Sequence, residues 1–229
     1  MLGKSKFENP KSKIPLPLPL QTDAFILQKR PPSDSFQTLT AFSASDGSLL
    51  VLQRVSKKTS ATTVALDLFD EASLSLESSN QGQTWFLKEA RILTRHATLG
   101  RSYETLRHTS ALASLIARNP IPEESRPAIA ALLRQALNAF ATSPRPDLVW
   151  FKSLYRFARD EGHPLKEHWF PTLPAADRTA VATLLNSPLA QLTASPEESN
   201  FSGYTTAAVA RLTARLEEYL RGHTEILLD

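Results

Sequence analysis

The hydrophobic periodicity of the chain changes near Glu89, and this change limits the possible folds more than any other feature. Before it, apolar residues alternate with polar ones over short runs, which is the pattern of half-buried strands. After it, apolar residues recur every three or four positions, which is the pattern of amphipathic helices. The sequence therefore predicts an α+β chain in which the strands come first and the helices follow.

Short runs with strand character fill the part of the chain between Thr22 and Glu89. They are Ala24–Lys29, Phe36–Ser43, Ser48–Val55, Thr63–Phe69, Ala72–Glu77 and Thr84–Leu87. Ser45-Asp46-Gly47 is a typical hairpin turn between the second and third runs. So many short strands in so short a stretch indicate a small barrel or a sandwich. We predict an OB-fold-like barrel over residues 21–90, preceded by a disordered arm, basic and rich in proline, at residues 1–20.

Helical periodicity continues to the end of the chain and predicts a helical bundle domain over residues 91–229. Its best-defined segment is Ser143–Gly162, with Ser143 as the expected N-cap and Gly162 as the left-handed stop. This segment is apolar on two sides, so we expect it to be the centre of the bundle, with neighbours covering both sides. The other predicted helices are Arg101–Arg118, Glu123–Ala141, Ala175–Ser187 and Tyr204–Arg221.

Positive charge is concentrated in two blocks of the first half. Residues 1–60 carry nine Lys or Arg against four Asp or Glu, and residues 91–118 carry five Arg against one Glu. Such blocks favour a polyanionic partner, with a scattered, solvated surface as the alternative. Cysteine is absent, which excludes disulfides and thiolate metal sites and suits a reducing cytoplasm. No apolar run is long enough to span a bilayer, so we predict no membrane partner.

The charged blocks suit nucleic acid, because a small barrel of the OB type binds single strands through a positive groove and stacked bases. The candidate DNA-binding residues border the strands or the crossing into the helical half: Lys29, Arg30, Arg54, Lys57, Lys58, Arg91, Arg95, Arg101 and Arg107. The aromatic residues that could stack bases are Phe36, Phe42, Trp85 and Phe86. For each cation a solvated surface charge is the alternative, and for each aromatic residue a place in the core.

The sequence offers no catalytic motif, and a hydrolase, which would need clustered acid–base residues, finds no support. The seven glycines are too far apart for a phosphate-binding loop or a dinucleotide fingerprint. Neither a nucleophile elbow nor an HExxH motif occurs. The most metal-like group is Glu161, His163, Glu167 and His168, but it straddles a helix end, and a solvated helix end is the better interpretation. We predict a protein that is not an enzyme and has no metal and no cofactor.

The order of these features resembles the RecO family of bacterial mediators of DNA repair and recombination, over nearly the whole chain after residue 20. The stretches that carry the resemblance are TDAFILQKR, SDGSLLVLQRVSKK, LDLFDEASLSLE, TWFLKEARILTRHATL, ATSPRPDLVWFKSLYRFARDEGHPL and RLTARLEEYLRGHTE. Many members of the family carry a four-cysteine zinc knuckle after the central helix. This chain has no cysteine there, so zinc is not carried over.

The resemblance implies binding of single- and double-stranded DNA, strand annealing and, with RecR-like and single-strand-binding proteins, the loading of RecA in the bacterial cytoplasm, near the nucleoid. It also implies a site in the helical half for the acidic, hydrophobic tail of single-strand-binding protein. An apolar pocket rimmed by Arg or Lys would suit such a tail. The candidate residues are Arg134, Lys152, Tyr155, Arg156 and Arg159. The alternative function is a protein–protein scaffold whose OB-like barrel does not bind DNA.

Overall fold

The first half of the chain closes into a barrel. The computed structural model describes residues 19–33, 35–55, 64–79, 84–193 and 204–228. Within these residues the strands are β1 (Pro19–Lys29), β2 (Phe36–Ser43), β3 (Gly47–Arg54), β4 (Glu71–Ser79) and β5 (Thr84–Thr94). They close in the order β1-β2-β3-β5-β4. A closed five-stranded barrel followed by helices confirms the predicted α+β class, with the barrel of the OB type.

The barrel closes through one short parallel seam. Neighbouring strands are antiparallel except β3 and β5, which pair at Val51 with Trp85 and at Leu52 with Phe86. Because side chains alternate along a strand, every second residue points into the barrel and the others point outward. The buried interior is formed by Ala24, Ile26, Leu39, Ala41, Leu49, Val51, Leu66, Ala72, Leu74 and Leu76.

The strand predicted over Thr63–Phe69 is wrong for the residues from 64 onward that the structure describes. The aspartates of this segment fold it into a turn: the Asp67 backbone N–H donates to Oδ2 of Asp70 at 2.8 Å, and the Asp70 N–H donates to the Asp67 carbonyl at 3.3 Å. Phe69 has a φ of 68°, which lies in the left-handed region and not in that of strands. Turn chemistry of the aspartates therefore overrides the alternating pattern.

Helices make up the second half of the chain. They are α1 (Tyr103–Arg118), α2 (Arg126–Thr142), α3 (Pro146–Asp160), α4 (Leu165–His168), α5 (Ala175–Asn186), α6 (Leu189–Thr193) and α7 (Thr206–His223). The five predicted helices correspond to α1, α2, α3, α5 and α7, with ends displaced by a few residues. Among the described residues, no helix combines the length and the apolar character needed to cross a membrane.

The helix α3 is the centre of the helical half, as predicted, and packs against α1, α2, α5 and α7. It begins at Pro146 and not, as predicted, just after Ser143. A proline disfavours the helical conformation in the residue before it, and Arg145 accordingly has φ −119° and ψ 72°. The Ser143 hydroxyl instead accepts a hydrogen bond from the Arg145 backbone N–H at 3.1 Å. Gly162 has a φ of 87° just after the helix, which confirms the predicted left-handed stop.

The core of the helices extends onto the outer surface of the barrel. Phe25, Leu27, Phe42 and Phe69 of the barrel half pack into the same hydrophobic cluster as the buried residues of α1, α2, α3 and α7. Polar contacts surround this cluster, and one of them joins Nη1 of Arg126 on α2 to the Ser45 carbonyl at 3.1 Å. The barrel and the helices therefore meet through a buried apolar surface.

Candidate nucleic-acid face and partner groove

An aromatic pair lies on the outer surface of the barrel, where β2, β3 and β5 come together. The ring centroids of Phe36 and Phe86 are 5.6 Å apart and the rings are tilted by 52°. Phe36 lies opposite Arg54 in the ladder of β2 and β3, and Phe86 lies opposite Leu52 across the parallel seam. Both aromatic side chains are only partly buried. We call Phe36, Leu52, Arg54 and Phe86 the aromatic face, because exposed rings beside a cation are the elements of a base-stacking surface.

Two of the predicted DNA-binding arginines border the aromatic face. Arg54 lies at the exposed edge of this face. The backbone N–H of Arg30 donates to the carbonyl of Thr38 at 2.9 Å, and Thr38 lies two residues after Phe36, on the same face of β2. Both side chains are exposed, and neither forms an ion pair with another residue of the described part of the chain. Lys57 and Lys58 lie outside the described residues, in the segment that follows Val55.

Lys29 and Arg95, by contrast, are engaged with the turn that precedes β4. Nζ of Lys29 donates to the Leu66 carbonyl at 3.0 Å. Nε of Arg95 donates to the buried carboxylate of Asp70 at 2.8 Å, and Nη2 donates to the Ala65 carbonyl at 2.8 Å. The hydrogen bond to Asp70 raises the pKa of Arg95 above its ordinary value. These two cations stabilise the turn, so a phosphate would have to compete with protein acceptors for them.

The other three predicted cations are spread along the path from the barrel to α1. Arg91 lies on β5 opposite Ser73, and Arg101 ends a 3-10 turn before α1. Arg107 lies on the first turns of α1 and its Nη2 is 2.8 Å from a carboxylate oxygen of Glu104. The structure thus brings Arg30 and Arg54 to the aromatic face and places these three on later elements.

The four aromatic residues considered for base stacking lie in different surroundings in the structure. Phe42 is 1% exposed and packs into the core shared with the helices, so it cannot stack a base. Trp85 packs against the interior cluster of the barrel. Phe36 and Phe86 remain, and they are the two that contact each other.

A groove of about 730 Å³ runs along α3, between α2 on one side and α4 and α5 on the other. Four of the five predicted partner-binding residues line it: Lys152, Tyr155, Arg156 and Arg159. Its apolar lining includes Leu132, Ala136, Val149, Leu185, Leu189 and Phe170. We call this cavity the α3 groove. Its combination of apolar walls and cations is what the tail of an acidic, hydrophobic partner would require.

The rim of the α3 groove carries surplus positive charge. Arg156 and Arg159 share one carboxylate, that of Asp160, at 3.3 Å and 2.7 Å. The lining also holds Lys166 and Glu167, so its cations outnumber its carboxylates even when Asp160 is counted. Tyr155 forms part of the wall beside them, with its ring centroid 6.2 Å from that of Phe170. Burial raises the pKa of the Tyr155 hydroxyl, which therefore stays protonated and is a donor.

Lys152 has a structural partner within the groove. Its ammonium group donates to three carbonyls at the carboxyl end of α5, those of Leu184 at 2.6 Å, Ser187 at 2.8 Å and Leu185 at 3.4 Å. An ammonium group has three N–H donors, so these carbonyls account for all of them. Burial lowers the pKa of Lys152 below its ordinary value. Lys152 therefore holds α5 against α3, and the two arginines carry the charge that a partner would meet.

Arg134 lies away from the α3 groove, at the contact between the barrel and α2. Its guanidinium forms an ion pair with the buried Glu71 of β4 and stands 5.4 Å from the centre of the Phe25 ring. The hydrogen bonds to Glu71 raise the pKa of Arg134. This arginine joins the two halves of the molecule.

The sequence analysis missed most of the other residues that line the groove, among them His163, Lys166 and Phe170. Lys166 belongs to the short α4, Phe170 to the 3-10 turn after it, and His163 to the segment just before α4, where prolines interrupt any helical period. Of these three residues, Lys166 could have been recognised from the sequence, because it is a cation that follows Gly162 closely. His163 also belonged to the metal-like group considered above, and within the described residues no group of three or more His, Cys, Asp or Glu could hold a metal ion.

The chain matches no family model, and no curated protein matches it.

Proposed function

We propose that this protein is a mediator of DNA repair and homologous recombination, similar to the RecO family, that binds DNA and breaks no bond. In this proposal the aromatic face and its arginines bind single- and double-stranded DNA and promote strand annealing. The α3 groove binds a single-strand-binding protein, and together with a RecR-like protein the complex helps to load RecA. These activities belong to the cytoplasm of a bacterium, at the nucleoid.

One observation carries the proposal: the contact of Phe36 with Phe86 beside Arg54, on the outside of a closed five-stranded barrel. The packing of a barrel core does not require two partly exposed aromatic rings next to a cation that forms no ion pair within the described part of the chain. Bases stack on such rings, and the arginine neutralises a neighbouring phosphate. Annealing requires little else, because its barrier is the mutual repulsion of two polyanions.

The α3 groove supports the partner-binding part of the proposal. Its apolar walls suit the hydrophobic residues of an acidic tail, and the surplus charge at Arg156 and Arg159 suits its carboxylates. Binding at this groove would leave the aromatic face free for DNA, because the groove belongs to the helices and the face belongs to the barrel.

The test is a fluorescence-anisotropy titration of the full chain with a single-stranded oligonucleotide at several salt concentrations. Stacking contributes about 1–3 kcal/mol per base, so Phe36→Ala and Phe86→Ala should each weaken binding roughly 5- to 150-fold. Arg54→Ala should reduce the slope of log K against log salt by about 0.7, which is one phosphate contact on a single strand.

Tyr103→Ala is the matched control, because Tyr103 is an aromatic residue that is 75% exposed and lies on α1, outside the aromatic face. This variant should bind the oligonucleotide like the wild type. Absence of wild-type binding at low ionic strength would refute the DNA part of the proposal. Equal losses in the Tyr103 and Phe86 variants would remove the aromatic face from it.

A protein–protein scaffold is the second candidate function, and one observation favours it. Five large apolar residues of the barrel half are 38–39% exposed: Leu50, Val55, Val64, Leu68 and Leu93. Exposed apolar residues in such number suit a protein partner on the barrel. The same titration separates the candidates, because a scaffold would bind no oligonucleotide at any salt concentration.

A further inference from the structure

A buried carboxylate in the helical half has no part in the aromatic face or the α3 groove. Asp177 lies in the first turn of α5 and is 4% exposed. An ionised carboxylate is costly to bury unless cations compensate it. Two arginines of α7 do so: Nη2 of Arg211 lies 3.1 Å from Oδ1, and Nη1 of Arg215 lies 3.0 Å from Oδ2.

This cluster holds more positive charge than the carboxylate needs. One guanidinium would neutralise Asp177, and the second faces the carboxylate of Glu218, three residues after Arg215 on α7. Arg178, the next residue of α5, is a further exposed cation. The side chains of Arg211 and Arg215 are 56% and 39% exposed although both contact a buried group. The negative charge is therefore inside, and the positive charge faces solvent.

The buried carboxylate also fixes the positions of the two guanidinium groups. Arg211 and Arg215 are four residues apart on α7, which places their Cβ atoms about 5–6 Å from each other on one face. A free arginine loses rotamer freedom when it binds a ligand, whereas these two are already held by the same side chain. A fixed pair of planar, multiply donating groups matches the oxygens of a phosphate.

We propose that Arg211 and Arg215, anchored by Asp177, form a second phosphate-binding surface, and that its ligand is the backbone of a second nucleic-acid strand. We call these three residues the α7 anchor. The choice of nucleic acid rests on the proposed function, because an annealing protein has to hold two strands and the aromatic face provides for one. The α7 anchor lies on the helices, so both surfaces can be occupied at once.

The test uses the full chain, a donor-labelled oligonucleotide bound first, and an acceptor-labelled complementary strand added second. Fluorescence energy transfer reports annealing. One lost phosphate contact lowers the slope of log K against log salt by about 0.7, which is about a fivefold loss of affinity for the second strand in about 0.1 M salt. Arg211→Ala and Arg215→Ala should therefore each slow annealing about fivefold. Binding of the first strand should stay unchanged. Each single variant leaves one arginine for Asp177, and thermal unfolding checks that the fold is retained.

Two further variants separate charge recognition from damage to the fold. Arg118→Ala removes an exposed cation at the end of α1 and should anneal like the wild type. Glu218→Gln removes a carboxylate three residues after Arg215, on the same face of α7, and should accelerate annealing. A destabilised protein would not produce this gain.

The outcomes distinguish this inference from the proposed function. If both α7 variants anneal at the wild-type rate while Phe86→Ala loses the first strand, the inference is overturned and the proposed function stands. If the α7 variants anneal normally but lose affinity for polyglutamate, the surface binds an acidic protein, which also overturns the inference. If the wild type binds no strand at all, both the proposed function and the inference fail.

Discussion

The turn between β2 and β3 offers a sharp test of how the barrel and the helices fit together. Gly47 has a φ of 71°, and a Cβ added there would lie 2.9 Å from Nε and 3.2 Å from Cζ of Arg126. Gly162 has a similar φ of 87°, but a Cβ added there would meet nothing within 4 Å. Replacing either glycine by alanine therefore places a Cβ on a left-handed backbone. At Gly47 alone the new Cβ also collides with Arg126.

The common cost is that of the left-handed backbone for a residue with a Cβ, about 1–2 kcal/mol. The additional cost at Gly47 comes from Arg126, which must move and then loses its hydrogen bond to the Ser45 carbonyl. A hydrogen bond from a charged donor contributes about 1.5–3 kcal/mol. We therefore expect Gly162→Ala to lower the free energy of unfolding by about 1–2 kcal/mol, and Gly47→Ala to lower it by about 2.5–5 kcal/mol.

Urea unfolding followed by circular dichroism measures both values, and a double-mutant cycle with Arg126→Ala isolates the clash. In the Arg126→Ala background, Gly47→Ala should cost no more than Gly162→Ala does in the wild type, because the obstructing side chain is gone. Equal costs of the two glycine variants in the wild-type background would refute the steric argument. A cost below about 0.5 kcal/mol at both positions would refute the left-handed assignment as well.

The remaining predictions concern the helical half. Lys152→Met should keep the volume of the side chain but leave the last carbonyls of α5 without their donor, and so lower the free energy of unfolding by about 1–3 kcal/mol; an unchanged urea midpoint would contradict this. Replacing Arg156 and Arg159 together by alanine should weaken binding of an acidic peptide with an apolar end at least tenfold, by calorimetry, while Arg178→Ala should not. Burial lowers the pKa of His108 below 6.5, so the unfolded chain binds a proton that the folded one resists. The free energy of unfolding should therefore fall as the pH drops below about 6.5 toward the lowered pKa of the folded state. In a pH series of thermal unfolding, the midpoint temperature of the His108→Gln variant should fall less than that of the wild type.

Local patterns predicted the elements whose residues decide their own conformation. Alternation together with Ser45-Asp46-Gly47 located β2 and β3, and the apolar period with Gly162 located most of α3. The failures have physical causes that act over a few residues. Two aspartates fold the segment before β4 into a turn, and Pro146 moves the start of α3 past Ser143.

The two candidate sites depend on tertiary contacts, and such contacts leave no periodic pattern in the sequence. Lys152, Tyr155, Arg156 and Arg159 were found together because they are neighbours on one helix, and the helix carries them to one groove. Arg134 looked similar in sequence, yet its partner Glu71 is on the barrel, and only the tertiary fold brings them together. The parallel seam of β3 and β5 spans two pairs of residues, too few to leave a sequence pattern.

The apolar surface that Phe25, Leu27, Phe42 and Phe69 present to the helices has a consequence for biosynthesis. The barrel is complete at Thr94, whereas α2, which covers part of this surface, ends at Thr142. At about 5–20 residues per second a ribosome needs roughly 2–10 s to make the intervening chain. During this interval a folded barrel would expose four large side chains to the nascent-chain environment. We therefore expect a fragment that stops after β5 to aggregate when it is produced alone, and the full chain to depend on chaperones while it is being translated.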